Sequence, residues 1–446
     1  MVLPAGHGFS VYYTTSAGRK EWTLDYLKKF AVLLILVSNT GGLASAQVRC
    51  AVPAPDVLLQ PTKKADTGDG LILTSFFSQK GIQGCVALTN LQGTPSWSYC
   101  QNGQMFMTRA VPGGTVLVIT NQTYTDYAVD EINLAGTVLN SITEASANSQ
   151  LAALGQQPII DFNHEAMRLP NGYTAVIAHN EALYTNAQGG TTQKPVDIMG
   201  DEILVLDTNW NVVWTWNAFD WLPVSRTAIL GETCHPCAQT QTGACCPITL
   251  ASQANDWLHG NSLAYDSTDG SLVMSLRSQD WVIKIAYQNG TGDGHLIWTL
   301  GNEGDFTMLN TPNIPSPWFS HQHDVEIQAT DNPKLLTLFD NGNTRRSTDP
   351  TADSRGQVLA INELALTVDI HTNVDFAFYS SGYGTSQVLD NGNYWWQAGA
   401  AGGQNTADPT RSFEYFPSGF TGITAYAIGF ADTAYRSFRL DAASGF

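Results

Sequence analysis

Four histidines and one arginine are the side chains of this sequence best placed to do chemistry: His164, His259, Arg277, His321 and His323. Each histidine precedes a predicted strand or turn in a polar stretch, and the arginine ends the apolar segment SLVMSLR. Such a set can bind a metal ion through three imidazoles. It can also hold the oxygens of an anion while one imidazole attacks. A metal cation would repel the arginine whereas an anion requires it, so the residue types favour transfer of an anionic group over metal binding.

Arg277 has two possible roles. An arginine on a buried strand normally has a carboxylate or an anion as its partner. Asp280 follows three positions later, and a salt bridge to it would make Arg277 a structural residue. Otherwise the guanidinium is available for an oxyanion in the same pocket as the histidines. The sequence leaves both roles open.

Because these residues are widely separated along the chain, the fold must bring them together. Short alternating strands recur with turn signals such as Pro112-Gly113-Gly114 and Pro170-Asn171-Gly172, which supply the positive φ that tight hairpins need. About six such cycles begin near residues 70, 113, 171, 270, 333 and 391. This pattern predicts an all-β protein, a six-bladed β-propeller over residues 47–446, in which the inner strands converge on an axial funnel.

A β-sandwich array and a parallel β-helix are the alternative architectures for such repeated strands. The strands come in hairpin groups rather than as single rungs, which favours the propeller. The last strand, AYRSFRL at 434–440, is expected to pair with the first blade and close the ring. The segment 140–154 is the one predicted helix of the mature chain and is expected to be a surface connection.

Composition and charge narrow the class of protein. The 446 residues are 43% hydrophobic and 13% charged, with 40 Gly and 19 Pro, which is typical of a turn-rich β protein. The formal net charge of −18 repels phosphate backbones, so nucleic acid is excluded as a partner. An anionic substrate would therefore depend on local cations inside a pocket.

The N-terminal residues 1–46 read as an extension with a signal peptide. Lys28 and Lys29 precede the apolar run 30–37, and Ala44-Ser45-Ala46 offers a cleavage site of small residues. The apolar run is too short to span a bilayer, and no other segment is apolar enough to do so. The sequence thus predicts a secreted or periplasmic protein with no stable membrane span.

Seven cysteines fit an oxidising compartment. Four of them cluster in one insertion: Cys234, Cys237, Cys245 and Cys246. A zinc site with His235 is one interpretation. The adjacent pair Cys245 and Cys246 is awkward for tetrahedral ligation, so disulfides that staple the loop are favoured.

Taken in order, several motifs resemble the arylsulfotransferases that use aryl sulfates rather than a nucleotide donor. The matching stretches are NHEAMRLPNG (163–172), DWLHGNSLAYD (256–266), SLRSQDWVIKI (275–285), WTLGNEGDF (298–306), QHDVEI with LFDNGN (322–343) and the closing AYRSFRL. The resemblance runs from about residue 110 onward, and it implies a six-bladed propeller.

The resemblance also implies roles for single residues. His323 matches the nucleophile that carries the sulfuryl group as a sulfohistidine, while His259 and Arg277 match the pair that binds the sulfuryl and phenolic oxygens. His164 matches the remaining pocket histidine. His321 would share a strand face with His323 and is the competing choice for the nucleophile. The implied substrates are aryl sulfates and phenols, in ping-pong transfer without cofactor or metal.

The sequence leaves open the role of three aromatic residues and two rival functions. Trp257, Trp318 and Phe319 flank the motif histidines, and they either line a slot for aryl rings or pack within the blades. A propeller without catalytic activity that binds a ligand or protein is the first rival function. A quinone-dependent or metal-dependent propeller enzyme is the second.

Overall fold

The structure is a computed structural model. It describes residues 12–15, 18–21 and 50–440, apart from 67–69, 78–82, 122–125, 237–244, 311–313, 329, 331 and 403–408. The chain forms two units, Met1–Ala46 and Gln47–Phe446. In the first unit, β1 (Tyr12–Thr15) and β2 (Gly18–Glu21) make an antiparallel hairpin. The predicted signal sequence from Lys28 to Ala46 lies outside the described residues.

The second unit contains six blades, numbered in chain order, whose consecutive strands are antiparallel. The leading strand is β3 Pro55–Leu59. Blade 1 contains β4 Leu71–Phe77, β5 Gln83–Asn90 and β6 Pro95–Asn102. Blade 2 is β7 Gln104–Val111, β8 Thr115–Asn121, β9 Tyr127–Asn133 and β10 Val138–Thr143. Blade 3 is β11 Asp161–Arg168, β12 Thr174–Tyr184, β13 Val196–Leu206, β14 Val212–Asn217, with β15 Thr233–Cys234 and β16 Ala254–Asp256 added. Blade 4 is β17 Gly260–Asp266, β18 Ser271–Leu276, β19 Trp281–Ile285, β20 Leu296–Gly301. Blade 5 is β22 His323–Ile327, β23 Lys334–Asp340, β24 Arg355–Asn362 and β25 Thr367–Asp375, with β21 Thr307–Met308 added. Blade 6 is β26 Thr385–Val388, β27 Tyr394–Ala398, β28 Thr410–Phe416 and β29 Ile423–Phe430. Two added strands pair in parallel, β16 with β13 of blade 3 and β21 with β25 of blade 5.

The two ends of this unit close the ring. The C-terminal strand β30 (Ala434–Leu440) pairs with β4 and becomes the inner strand of blade 1. The leading strand β3 pairs with β29 at the outer edge of blade 6. The predicted six-bladed propeller and its closure by residues 434–440 are therefore confirmed.

The predicted start of each cycle lies one strand later than the first, inner strand of the blade. The turns at 112–114 and 170–172 join the first strand of a blade to its second, so each cycle start falls just before the second strand. The inner strand therefore lies on the N-terminal side of the turn. Propensity and turn signals identify hairpins, but they do not show which strand faces the axis.

The hydrophobic core lies between blades rather than in one centre. Residues of β18 are buried at every position, because a middle strand of a blade is covered on both faces by its neighbours. Leu272, Leu276 and Ile283 of blade 4 pack with Ile177 and Ile203 of blade 3 in one such cluster. This close packing fixes the inner strands that carry the candidate site.

In the described part of the chain, three short α-helices lie between strands: α1 Glu144–Leu154, α2 Ala218–Trp221 and α3 Asn343–Thr348. The predicted helix 140–154 begins at Glu144, because the side chain of Thr143 caps its first turn and the preceding residues belong to β10. Ala147 and Leu151 of α1 are buried between blades 2 and 3. None of the helices among the described residues is long and apolar enough to cross a membrane.

The cysteines form disulfides, as predicted. Cys234 pairs with Cys246, and Cys245 is also in a disulfide, whereas Cys237 lies outside the described residues. The sulfur of Cys100 lies within bonding distance of both Cys50 and Cys85. One sulfur makes one disulfide, so these two bonds are alternatives.

Candidate active site

The motif histidines occupy the N-terminal ends of inner strands, where the backbone leaves regular pairing. The register of β11 shifts between Phe162 and Ala166, and His164 there has φ 55°. His259, directly before β17, has φ 54°, and a shift follows between Gly260 and Ser262. A bulge of this kind redirects a side chain from its strand face. The blades thus turn both imidazoles toward one another.

Arg277 is the hairpin neighbour of His259. The backbone N–H of Arg277 donates to the carbonyl of His259 at 3.2 Å, just beyond the last rungs of β17 and β18. Their spacing of 18 positions therefore corresponds to two strands and a turn.

The side chains of Asp256, His259 and His164 form a hydrogen-bonded chain between blades 3 and 4. His259 Nδ1 lies 2.6 Å from Asp256 Oδ2, and His259 Nε2 lies 2.9 Å from His164 Nε2. Although burial opposes ionisation, the charge and hydrogen bond of His259 lower the pKa of Asp256 to about 2. Burial, with His259 and other cations nearby, holds the pKa of His164 well below its usual range. A carboxylate at one end and a neutral imidazole at the other leave one proton between the two Nε2 atoms.

His323 is buried, and its tautomer is fixed by Asn341. Its Nδ1 lies 2.7 Å from Asn341 Oδ1, while the amide nitrogen of Asn341 donates to the carbonyls of Ser380 and Tyr383. The amide orientation makes Oδ1 an acceptor, so Nδ1 carries the proton and Nε2 keeps its lone pair. Burial, then the charge of Arg277, holds the pKa of His323 well below its usual range. His323 is therefore a neutral imidazole with a free Nε2.

His321 is bound on both sides by carboxylates and differs from His323 in this respect. Its Nδ1 lies 2.8 Å from Asp280 Oδ1, and its Nε2 is hydrogen-bonded to Glu232. Burial opposes the charged form, but the hydrogen bonds to Asp280 and Glu232 prevail and raise the pKa of His321. A protonated imidazole with both nitrogens engaged has no lone pair for attack.

The salt bridge between Arg277 and Asp280, one of two roles considered for this arginine, is not formed. Asp280 instead accepts hydrogen bonds from His321 and Thr344. The guanidinium of Arg277 approaches Glu232 Oε1 at 3.9 Å and has no hydrogen bond within the described part of the chain. Its side chain is 17% exposed, so its donors are available to a bound anion.

A buried ion network lies beneath these residues and connects their strands. Arg436 of β30 donates to Glu165 Oε2 at 2.8 Å and to the carbonyl of Asn261 at 2.7 Å, and it lies 3.8 Å from Asp324 Oδ1. Glu165 follows His164, Asn261 is two positions after His259, and Asp324 follows His323. One guanidinium from the closing strand thus touches all three histidine-bearing segments.

Aromatic side chains form a wall beside His164. The ring of Tyr435 stacks on His164 with centroids 5.8 Å apart, and Phe106 lies 6.2 Å away. Phe77 and Tyr383 extend this wall, at 5.9 Å each from Tyr435. Such faces can accept an aryl ring.

The three aromatic residues that flank the motif histidines in the sequence lie in the hydrophobic cores, away from this wall. Trp257 and Phe319 are 1% exposed and belong to cores between blades, and Trp318 packs against one of these cores. They therefore pack within the blades.

Several site residues carry weak or no sequence signals. Asp256 and Asn341 lie inside the motifs DWLHG and LFDNGN, although no role follows from those motifs alone. His179, in the middle of β12, binds Asp161 at 2.9 Å, and although burial opposes charge, Asp161 raises its pKa to about 9. Glu232 comes from the cysteine-bearing insertion after blade 3, where no periodicity points to a buried carboxylate.

Comparison with known proteins supplies the class. The family model for arylsulfotransferase (ASST) matches residues 59–426. The arylsulfate sulfotransferase AssT of Escherichia coli O6:H1 is 30% identical in an alignment of 223 residues, and the match covers 43% of this chain and 36% of that protein. The matched part of the chain thus spans about a third of the length of this relative.

Two solved structures are similar to this chain only at low identity and low TM-score. A protein of unknown function from Bacteroides caccae has a TM-score of 0.42 and 13% identity, covering 80% of this chain and 93% of that chain. A putative 6-phosphogluconolactonase from Bacteroides fragilis has a TM-score of 0.41 and 11% identity, covering 86% and 100%. The family model, in contrast, covers most of the sequence and all four motif residues His164, His259, Arg277 and His323. The chain belongs to the arylsulfotransferase family.

Proposed function

We propose that this protein is an exported aryl-sulfate sulfotransferase, which moves a sulfuryl group from an aryl sulfate to a phenol through a sulfohistidine on His323. Family membership supports the reaction class, and the name of the Escherichia coli relative supports aryl sulfates as donors. The observation that carries the proposal is the hydrogen bond between His323 Nδ1 and Asn341 Oδ1, because it leaves Nε2 unprotonated inside a cationic pocket.

The first half-reaction forms the covalent intermediate. The Nε2 lone pair of His323 attacks sulfur, an N–S bond forms, and the bond from sulfur to the aryl oxygen breaks with its electron pair on that oxygen. The proton held between His259 and His164 passes to the leaving phenolate. The first phenol then departs, and its place is free for the acceptor.

The second half-reaction reverses these steps with a different phenol. The paired histidines accept the phenolic proton, the phenolate oxygen attacks sulfur, and the N–S bond breaks with its electrons on Nε2. His323 returns to the neutral tautomer that Asn341 holds. Every step balances with these side chains and the two substrates, so no cofactor enters the scheme.

Arg277 has the geometry of an anion-binding group in this scheme. Charge on the sulfuryl oxygens is spread over three peripheral atoms in the transition state, as in phosphoryl transfer. A rigid guanidinium with donors already oriented stabilises that charge without reorganisation. Glu232 approaches Arg277 only at 3.9 Å, so it does not use up these donors.

Export is supported by two independent features. The segment from Lys28 to Ala46 has the composition of a signal peptide. The disulfide between Cys234 and Cys246 is typical of a protein in an oxidising compartment. Both fit a protein that acts in a periplasm or in the medium.

The test is the mass of the intact protein after mixing with 4-nitrophenyl sulfate and no acceptor. We expect the gain of one sulfuryl group, mapped by peptide analysis at alkaline pH to His323 and lost again when a phenol is added. His323→Ala should gain no sulfuryl group. His295→Ala, at an exposed histidine (51%), should gain one as the native protein does. A sulfuryl group on another residue, or transfer by His323→Ala, would refute the mechanism.

A further inference from the structure

A cavity lies on the ring axis, toward the end of the inner strands away from the histidines. Its volume is about 470 Å³, within the range of small-molecule sites. Each of the six inner strands contributes to its wall, among them through Arg109, Met167, Leu263, Glu326, Gln387 and Phe438. On β11 and β22 the candidate catalytic histidines come before these wall residues, so the cavity is displaced toward the C-terminal ends of the strands.

The ion network separates this cavity from the histidines. Arg109 of β7 lines the cavity and donates to Glu165 and Asp324, the two carboxylates that Arg436 also contacts. Arg436 is 1% exposed and Glu165 is fully buried. The network forms the floor of the cavity and separates it from the candidate site at the histidines.

The charges around the cavity are paired, with one exception. Arg109 is balanced by Glu165 and Asp324, Arg168 by Glu131, and Arg439 by Glu414. Glu326 is the charged wall residue without an ion pair among the described residues.

The Glu326 carboxyl is held in place by the backbone. Its Oε2 accepts the N–H of Val388 at 2.8 Å, and its other oxygen has no hydrogen bond within the described chain. Burial raises the pKa of Glu326 to about 7. The carboxyl is therefore surrounded by mostly apolar wall residues and needs a partner when it ionises.

We propose that this cavity binds a small organic cation, a protonated amine on an apolar body, whose ammonium group pairs with Glu326. The ammonium supplies the missing counter-charge for a carboxylate in apolar surroundings. The walls, including Leu263, Ile327 and Leu440, cover the apolar body of the ligand. The site does not depend on the proposed sulfuryl transfer.

Binding of benzylamine to the full chain, measured by calorimetry at pH 8, tests the proposal. Benzylamine should bind once per chain, benzyl alcohol more weakly, and benzoate not at all, because the three share a body and differ in charge. Glu326→Gln should lose the preference for the amine. Glu303→Gln, at an exposed carboxylate (66%), and His323→Ala should retain it.

The pH dependence gives a second measurement that needs no variant. Besides Glu326, the charged or titratable wall residues are Arg109, Arg168, Tyr265 and Arg439, and Asp324 lies behind them. Arginine and tyrosine side chains ordinarily keep their protons between pH 6 and 8. Benzylamine affinity should therefore fall by about tenfold from pH 8 to pH 6, as Glu326 takes up a proton. No binding, equal binding of all three probes, or unchanged binding in Glu326→Gln would overturn the proposal.

Discussion

His164 Nε2 and His259 Nε2 lie 2.9 Å apart, with Asp256 on the far nitrogen of His259. Two imidazole nitrogens in direct contact need one proton between them. This arrangement joins blades 3 and 4 through a proton that the reaction can use. His323, the proposed nucleophile, is held by Asn341 of blade 5.

Removing the carboxylate tests this proton path. Asp256→Asn should lower kcat by about 10²–10⁴, because His259 loses the partner that stabilises its charged form. The loss should be larger with phenyl sulfate than with 4-nitrophenyl sulfate, since the better leaving group needs less protonation. An equal loss with both donors would contradict a role in proton transfer.

Asn341→Asp should change the pH profile of transfer. In the native protein, the low pKa of His323 keeps the nucleophile neutral, so acid should reduce its reactivity only well below pH 6.5. A carboxylate on Nδ1 favours the imidazolium and raises that pKa. The acidic limb of kcat against pH should therefore move to higher pH in the variant, with activity regained as the pH increases. A profile identical to that of the native protein would mean that Asn341 does not set the protonation of His323.

Arg277→Lys should retain the charge and lose the fork. We expect kcat/KM for aryl sulfates to fall by about 10²–10³, the usual effect of removing one oriented donor from a developing anion. The melting temperature should change little, because the guanidinium has no hydrogen bond in the described chain and its nearest carboxylate is 3.9 Å away. Steady-state kinetics with 4-nitrophenyl sulfate and thermal unfolding measure both effects. Unchanged kinetics would remove Arg277 from the site.

His321 should make the stability of the protein depend on pH. Its folded-state pKa lies above the unfolded value of about 6.5. The stabilisation is therefore fully present below that unfolded value and is lost as the pH rises through the folded pKa. His321→Gln should reduce the fall of the melting temperature as the pH rises above about 6.5. The fall should not vanish, because His179, with a pKa of about 9, contributes a slope of the same sign; differential scanning calorimetry measures the difference. If the variant keeps the native slope, another group is responsible.

The sequence allowed the ring to be predicted because its signals are local. Turns such as Pro170-Asn171-Gly172 and alternating strands specify hairpins, and the number of hairpins gave the number of blades. The inner strand of each blade was not apparent, since its identity depends on which strand the closing strand β30 adjoins.

The candidate site was predictable only where motif and blade position coincide. His164, His259 and His323 lie in or directly before the first half of an inner strand, so their convergence follows from the fold. Glu232 reaches His321 from an insertion, and His179 lies within β12, so neither contact could be deduced from spacing. Long-range polar contacts are set by tertiary packing, which a periodic pattern does not encode.

Arg436 should position the histidines without touching substrate. Arg436→Lys retains the charge but cannot span Glu165, Asn261 and Asp324 together, so the three strand ends lose a common anchor. We expect a lower melting temperature and a kcat reduced by about tenfold or more, with KM nearly unchanged, because small misplacement of reacting groups slows chemistry more than binding.

Lys284→Arg is the matched control for this change. Lys284 is equally buried and pairs with Asp266, Asp269 and Glu363, but it lies on β19, the third strand of blade 4. It should lower the melting temperature while leaving kcat unchanged. If both variants reduce kcat in proportion to their loss of stability, Arg436 is a structural residue only. If Arg436→Lys alone slows transfer and the yield of sulfohistidine falls with it, the closing strand of the ring sets the geometry of the reaction.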